Sequence, residues 1–587
     1  MKSQKTNRLY QIRHSLAHIL AHAVQDLYPD VKFGIGPVID NGFYYDFDLK
    51  EPLTIDDLPR IEKRMRELLK ENITFEKVEA STNEAKELEK NQPYKLELVD
   101  EFTKAGEKLT FYKSGKFTDL CKYPHVESTE DIPADVFKLD KVAGAYWRGS
   151  EQRPMLQRVY GLAFENKAEL DNYLKKQEQA EDRDHRKLGR QLDLYSFDPV
   201  APGAVFWHPN GMIIWRELEN LLVEYLRSAN YQEVQTPLMV KPEVFEQSGH
   251  LKHYQDNMFK VHGGKKLRTG YEEEFYLKPM NCPESTYIYS SQSRSYRDLP
   301  LRYAEIGRIH RNELSGTLGG LFRVRQITQD DGHLYLRPDQ LANELTKLFE
   351  LSIKIYKIFG LKPRFYLATR PDKALGDKKL WAKAEEALAE SLKANNLEYE
   401  LKPKDGAFYA PKIDIHITDA LDRDWQLCTI QADLVMIPSF PGVEYTDDKG
   451  KKQKPVVVHR AILGSFERFI GIITEHYAGA FPTWLHPIQV QIIPVGQAHI
   501  GPANKLAEEF RQHNIRVAVD DDNETVGNKI RISAQLKVPY ALVIGDKETS
   551  SDKLAIRVRG QKDIISLSKS EFIKKIKSEI ADRQLAP

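Results

Sequence analysis

Residues 302–333 read RYAEIGRIHRNELSGTLGGLFRVRQITQDDGH, and the rest of the chain is best approached from them. Alternating apolar and polar side chains predict a strand over 301–309, a loop rich in Gly and Ser over 312–320, and a returning strand over 321–327. Along this hairpin stand Arg302, Arg308, Arg311, Arg323 and Arg325, with Glu305 and Glu313 between them. A guanidinium fork meets phosphate oxygens two at a time, and a loop glycine lets backbone approach a nucleotide closely. The same pattern also suits a charged hairpin with one solvated face. The residues alone leave both readings open.

Composition narrows the setting. At 587 residues the chain has room for about three or four domains, each with its own core. Hydrophobic residues make up 41%, with 28 Tyr and 25 Phe, which excludes a disordered polymer. The formal net charge is zero, so any basic surface for a nucleic acid must be local. Three cysteines, at 121, 282 and 428, are too few for a disulfide framework and suit a reducing, cytoplasmic setting. No apolar run approaches the ~18 to 20 residues that span a bilayer. Histidines break up the start, MKSQKTNRLYQIRHSLAHILAHAV, and argue against a signal peptide.

Upstream of the hairpin, His14 and His18 stand four apart within a helix pattern over 13–23 and so share a face. A turn and an aromatic strand over 34–48 follow, then an amphipathic helix over 58–72 and a helical segment over 80–91. Residues 94–99, which include Lys95, read as a short strand. In FTDLCKYPHV (117–126), Asp119 precedes Cys121 and His125, again four apart. Two such pairs suit either a tetrahedral zinc site of thiolate and imidazole or buried histidines around a small core cysteine. From 167 to 192 the chain is charged and helix-forming with no wide apolar stripe, the pattern of a helical connector.

Just before the hairpin, an amphipathic helix over 203–226 leads into YQEVQTPLMVKPEVFEQSGH (231–250), read as a buried strand with a proline at its edge. FYLKPMNCPES (275–285) places Cys282 in a loop between Pro279 and Pro283. Beyond the hairpin come helices over 338–359 and 381–395 and a pair of strands joined at 419–423. An apolar strand then runs into a helix, VVVHRAILGSFERFIGIITEHY (456–477). From 488 strands and helices alternate in an α/β module of about 100 residues.

The pattern R-x-x-E-x-x-x-x-x-R-x-E, followed by F-R-V-R-Q-I-T-Q-D-D-G-H, resembles motif 2 of class II aminoacyl-tRNA synthetases, in particular the threonyl-tRNA synthetase family. Residues 231–250 with the preceding helix resemble motif 1, and G-S-F-E-R (464–468) resembles motif 3. H-S-L-A-H with D-L-C-K-Y-P-H resembles that family's editing domain. The likeness implies a multidomain α+β protein. An α+β editing domain would span 1–166, a helical connector 167–192, a catalytic antiparallel sheet flanked by helices 193–485, and an α/β anticodon-binding domain 486–587. It implies a homodimer formed through motif 1, in the cytoplasm and away from membranes.

The activity so implied is ATP-dependent ligation of L-threonine to tRNA(Thr) through threonyl-adenylate, with hydrolytic editing of seryl-tRNA(Thr). One Zn²⁺ per chain would be held by Cys282, His333 and His459, and Mg²⁺ would accompany ATP. Arg311 would face the α-phosphate and carboxylate, Arg468 and Arg323 the outer phosphates, and Glu313 the adenine amino group. Gln329 and Asp331 would face the amino acid, with Tyr409, Lys412 and Gln426 lining the same pocket. His14, His18, Lys95, Asp119, Cys121 and His125 match the editing pocket, which the resemblance favours as metal-free although the residues alone allow zinc. Asn523, Glu548 and Arg557 are the expected anticodon contacts.

Discrimination chemistry ties these features into one problem. A pocket that must bond the threonine hydroxyl rejects valine by several powers of ten, whereas serine lacks only a methyl, worth ~1 to 3 kcal/mol. A second, hydrolytic site is then required. Prolyl and seryl enzymes share motifs 2 and 3 but would not account for Cys282, His333 and His459; a paralogue that only binds tRNA would be expected to have lost Arg311, Arg468 or a ligand. Some positions depart from the family. Ile327 stands where a phenylalanine commonly stacks on adenine, and Leu314 and Gly319 replace the frequent Pro and His of the motif 2 loop. The resemblance begins near Leu9, without the small ubiquitin-like domain that opens many of these enzymes.

Overall fold

In a computed structural model, which describes residues 8–150, 152–263 and 273–587, the chain divides into two compact units, Met1–Glu178 and Gln179–Pro587. In the first, apolar residues at helical spacing bury one side of the helix Arg8–Leu27 through Ile12, Leu16, Ile19 and Leu20. That helix and Leu58–Leu69 share a core with the strands Gly42–Asp48, Phe137–Tyr146 and Met155–Ala163. A second sheet joins Phe75–Ala80, Leu109–Ser114 and Phe117–Leu120 in antiparallel order. Lys95 corrects the expected short strand, because it lies in the helix Pro93–Lys104. Pro93 occupies the first helical turn, where a missing N–H is tolerated. The stretch expected as a connector holds two helices, Lys167–Arg183 and His185–Gln191.

The second unit is built on eight strands in the order Gln232–Glu233, Leu301–His310, Gln326–Leu336, Val456–Ser465, Asp424–Asp433, Lys412–Thr418, Pro363–Ala368 and Tyr399–Lys402. The inner pairings are antiparallel and the short strand at each edge is parallel. Residues alternate between the two faces. Ala304, Leu334, Leu336, Val458 and Ile462 enter a large core with the helices Pro209–Ser228, Leu341–Ile358, Lys378–Ala394 and Phe466–His476. Tyr303, Tyr335 and Val457 enter a smaller core on the opposite face, with Cys282 and Tyr409. That second face carries the candidate site.

Several expectations need correction here. The returning strand starts at Gln326 rather than 321, because Gly203 O accepts the N–H groups of Arg325 and Gln326 and holds the preceding residues out of the ladder. Cys282 opens the helix Cys282–Ser290 instead of lying in a loop, with Pro283 in its first turn. The expected buried strand after residue 231 shrinks to Gln232–Glu233, and both side chains are exposed. Arg302 turns away from the cavity and forms a bidentate pair with Glu344.

The C-terminal part of this unit has its own core around Val490, Phe510, Leu542 and Phe572. Its sheet runs Val517–Val519, Val490–Pro494, Tyr540–Ile544, Lys553–Val558, Ile564–Ser568, the first three parallel and the last two antiparallel. Among the described residues no helix is long and apolar enough to cross a membrane.

Candidate active sites

Register assembles the first site. His333 lies directly across from His459, and His459 across from Gln431, so three adjacent strands present these side chains on one face. Cys282 reaches the same point from its helix start, and the ligand atoms of Cys282, His333 and His459 lie within 4.8 Å of one another, all buried. His459 Nε2 meets Asp433 Oδ2 at 3.2 Å, while His459 Nδ1 and His333 Nε2 have no hydrogen-bond partner. One thiol and two imidazoles, one backed by a carboxylate, are a donor set that fits zinc with a place left open. Without a cation, burial and the nearby Asp331, Glu284 and Asp433 push the Cys282 thiol well above its ordinary range. Burial, then His459 and Arg460, hold His333 neutral.

Beside this cluster lies a cavity of about 500 Å³, lined by Arg311, Glu313, Arg323, Ile327, Gln329, Lys412, Gln426, Gln431 and Arg468. Arg311 Nε donates to Pro279 O at 3.3 Å and Arg468 Nε to Phe322 O at 3.1 Å. Burial, followed by repulsion from Arg311 and Arg323, lowers the Arg468 pKa. Converging guanidiniums that repel each other leave a strong demand for an anion. Glu313 pairs with Arg323 at 2.7 Å. Lys412 and Gln426 both bond the buried carboxylate of Asp414, at 2.6 and 2.7 Å, so that acid sets their orientation.

Asp331 and Tyr409 sit nearer the Cys–His cluster than the arginines do. Asp331 accepts from Asn281 Nδ2 at 3.0 Å and from the Gly332 N–H at 2.9 Å. Tyr409 OH donates to Gln431 Oε1, and its ring lies 5.2 Å from that of His459. Sequence reasoning missed Asn281, and the only trace of it is Gly307: a Cβ there would lie 2.5 Å from Asn281 Oδ1. It also missed Asp414 and Gln431, which alternate among apolar strand residues without a motif of their own.

In the other unit, His14, His18, Cys121 and His125 bring their ligand atoms within 4.8 Å of one another. His14 Nε2 lies 3.3 Å from Cys121 Sγ, and its ring stacks on His125 with centroids 4.2 Å apart. His125 Nδ1 meets Ser15 Oγ at 3.0 Å, and His14 Nδ1 meets Pro124 O at 3.3 Å. The buried Asp119 pairs with Lys95, lies 3.6 Å from His18, and accepts from Tyr45 OH at 2.6 Å. Tyr45 was not singled out from sequence because it sits in an aromatic run (43–47) typical of a core strand. Burial lowers His14 to about 4 and raises Cys121 to about 12, and it holds His18 and His125 well below the ordinary range. At neutral pH the cluster offers neutral imidazoles and a thiol.

The expected anticodon residues are spread out. Asn523 follows the strand Val517–Val519, while Glu548 caps the Gly545 N–H at 3.1 Å in the short helix after Tyr540–Ile544. Arg557 lies across from Ala541, near the start of that strand.

An antiparallel sheet carrying an arginine-lined cavity over a Cys–His cluster is the arrangement of a class II aminoacyl-tRNA synthetase. The tRNA synthetase class II core domain (G, H, P, S and T) matches residues 259–477, the anticodon binding domain 489–579, and the threonyl and alanyl tRNA synthetase second additional domain 109–160. Threonine–tRNA ligase of Thermotoga neapolitana is 48% identical over 577 residues, 98% of this chain and 88% of that protein. The enzyme of Caldanaerobacter subterraneus is 46% identical over 576 residues, 97% of this chain and 87% of that one. The chain belongs to the threonine–tRNA ligase family. Among solved structures, the RNA binding domain of threonyl-tRNA synthetase from Cryptosporidium parvum is similar, with TM-score 0.64 and 37% identity over 67% of this chain and 98% of that one. Prolyl-tRNA synthetase of Giardia lamblia, at 17% identity and TM-score 0.54 over 70% of this chain and 80% of that one, shares the fold.

Proposed function

We propose that this chain activates L-threonine with ATP, transfers it to tRNA(Thr), and hydrolyses seryl-tRNA(Thr) at the His14 cluster. The observation that carries the proposal is one sheet face on which a buried Cys282/His333/His459 cluster adjoins the cavity of Arg311, Arg323 and Arg468. In the first step an oxygen of the threonine carboxylate bonds to the α-phosphorus and pyrophosphate leaves. In the second a terminal ribose hydroxyl of the tRNA attacks the threonyl carbonyl and AMP leaves.

Arg311 and Arg468, each anchored on a backbone carbonyl, neutralise charge on the phosphates. Arg323 faces the outer phosphates, which carry Mg²⁺ with them, and Glu313 faces the adenine amino group. Gln329, Gln426 and Lys412 form the polar wall for the amino acid. Tyr409 positions Gln431, and Asp331 holds Asn281 beside the cluster. Cys282, His333 and His459 would hold Zn²⁺, which supplies a Lewis acid for the amino group and hydroxyl of threonine.

In the editing pocket a neutral imidazole of the His14 cluster accepts a proton from water as the water oxygen attacks the seryl ester carbon, and returns that proton to the ribose oxygen as the ester bond breaks and serine is released. The Lys95–Asp119 pair fixes the polar side of that pocket. Asn523, Glu548 and Arg557 are proposed to contact the anticodon. We also propose the division into an editing domain (1–166), a connector (167–192), a catalytic domain (193–485) and an anticodon-binding domain (486–587), together with assembly as a cytoplasmic homodimer through motif 1, residues 231–250 with the preceding helix.

Pyrophosphate exchange tests the reading. Threonine should support exchange and valine should fall below it by about 10⁴-fold, with serine in between and zinc bound to the purified chain. Exchange that does not depend on threonine would overturn the proposal.

A further inference from the structure

Asp184, His185 and Glu475 make a third compact group of possible ligands, yet the hydrogen bonds of the histidine rule out a metal there. The N–H of Leu321 donates to His185 Nε2 at 2.9 Å, so that nitrogen carries no proton and its lone pair is in use. The proton is therefore on Nδ1, which donates to Glu475 Oε1 at 2.6 Å. The same oxygen accepts the backbone N–H of His185 at 3.0 Å, and the other oxygen of Glu475 accepts from Arg423. Tyr195 OH, in turn, donates to His185 O at 2.6 Å. The ring is buried and tied at both edges.

What it ties together is the ATP cavity. Leu321 and Phe322 end the loop between the two hairpin strands, and Phe322 packs on the His185 ring with centroids 4.1 Å apart. The carbonyl of Phe322 accepts from Arg468 Nε at 3.1 Å. Glu475 and Arg468 lie on one helix, Phe466–His476. Gly320 has φ +52°, and a Cβ on it would lie 2.2 Å from His185 Nε2, so the loop packs against the ring as closely as backbone allows. We propose that His185 is a positioning residue of the ATP site: through Leu321 and Glu475 it locks the loop and the helix together, so that the Phe322 carbonyl aims the Arg468 guanidinium into the cavity. The inference rests on Arg468 being a phosphate ligand.

Two substitutions separate the edges of the ring. In His185→Gln, the amide oxygen reaches the Nε2 position and still accepts from Leu321; in His185→Asn, the amide reaches Glu475 but falls short of Leu321. With the full chain in ATP–pyrophosphate exchange, His185→Asn and His185→Ala should raise the KM for ATP about tenfold, the effect of one lost buried hydrogen bond. The KM for threonine should stay within about twofold, and His185→Gln within about threefold of wild type in both.

Gly320→Ala, which pushes on the ring from the loop side, should reproduce the ATP effect without touching the histidine. It carries the test should a His185 variant fail to fold, as judged by melting temperature and retained seryl-tRNA hydrolysis. An unchanged KM for ATP in folded His185→Asn, an equal rise in both KM values, or a glutamine variant as impaired as the asparagine one would overturn the role of His185. Arg468→Ala distinguishes the two levels of the argument. A large rise in its KM for ATP beside normal His185 variants leaves the phosphate reading standing and removes only the positioning role; no change in Arg468→Ala removes both.

Discussion

Two Cys–His clusters of similar size occupy the two units, and the balance of charge around them differs. The Cys282 cluster is ringed by the acids Asp331, Glu284 and Asp433, which push its thiol upward, although burial raises Glu284 itself to about 8 and so removes most of its charge at neutral pH. The cations near it are already paired: Arg460 with Asp330, and Lys278 with Glu305 at 3.0 Å. In the His14 cluster the buried Lys95 is likewise paired, with Asp119, and the two act on His14 in opposite directions, so the pair adds little net charge. Surplus negative charge welcomes a divalent cation, whereas a neutral ion pair beside neutral imidazoles offers no such excess. On the proposed reading, similar ligand types serve metal binding in one unit and proton transfer in the other.

The largest test of that contrast is Cys282→Ser. It should remove bound zinc and reduce threonine-dependent exchange by roughly 10³-fold, with seryl-tRNA hydrolysis within about twofold of wild type. Bound zinc of one per chain in wild type and zero in the variant supports the contrast; zinc that persists at one per chain in Cys282→Ser places the metal in the other cluster.

Next in size is His14→Ala. Hydrolysis of seryl-tRNA should fall about 10²-fold while threonylation and zinc content hold. The same cluster predicts a pH response. Because His14 is held near 4, the unfolded chain takes up a proton below about 6.5 that the folded chain refuses, so stability is complete above about 6.5 and declines as pH falls toward 4. For His14 alone the loss is on the order of 3 kcal/mol by pH 4, with His18 and His125 adding in the same direction. Chemical denaturation of the first unit between pH 7 and 4 measures it. A stability that does not change across that window would show that the histidines take up protons as readily in the native state as in the unfolded chain.

Much of this was legible because chemistry sits at fixed spacing. Arg302, Glu305, Arg311 and Glu313 announce a motif, and His333 follows Gln329 and Asp331 at alternate positions, so one strand face could be read from the letters. The meeting of His333 with His459 could not, since it depends on the register of strands more than a hundred residues apart. Lys95 was misplaced although Pro93 offered a helix-start signal, because the aromatic and apolar residues around it also fit a strand. His185 was hidden in the charged run EDRDHRK, where a buried imidazole has no sequence signature at all. Tertiary partners, Glu475 and Leu321, are what make it a core residue.

The smallest expected effect concerns Ile327, which lines the proposed ATP cavity across the ladder from Ile309. An aliphatic pair offers an adenine ring dispersion contact but no ordered stacking partner. Ile327 is half-buried, so a larger ring can extend into the cavity without being forced into the core. Ile327→Phe should therefore lower the KM for ATP about threefold, the scale of one offset-stacked aromatic pair, and leave the KM for threonine and seryl-tRNA hydrolysis as they were. A raised KM for ATP would mean that the cavity wall is already filled by the aliphatic side chain and that the base is recognised elsewhere along the loop. A lowered one would show that this chain binds nucleotide through its arginines, with the base contact left weaker than the fold permits.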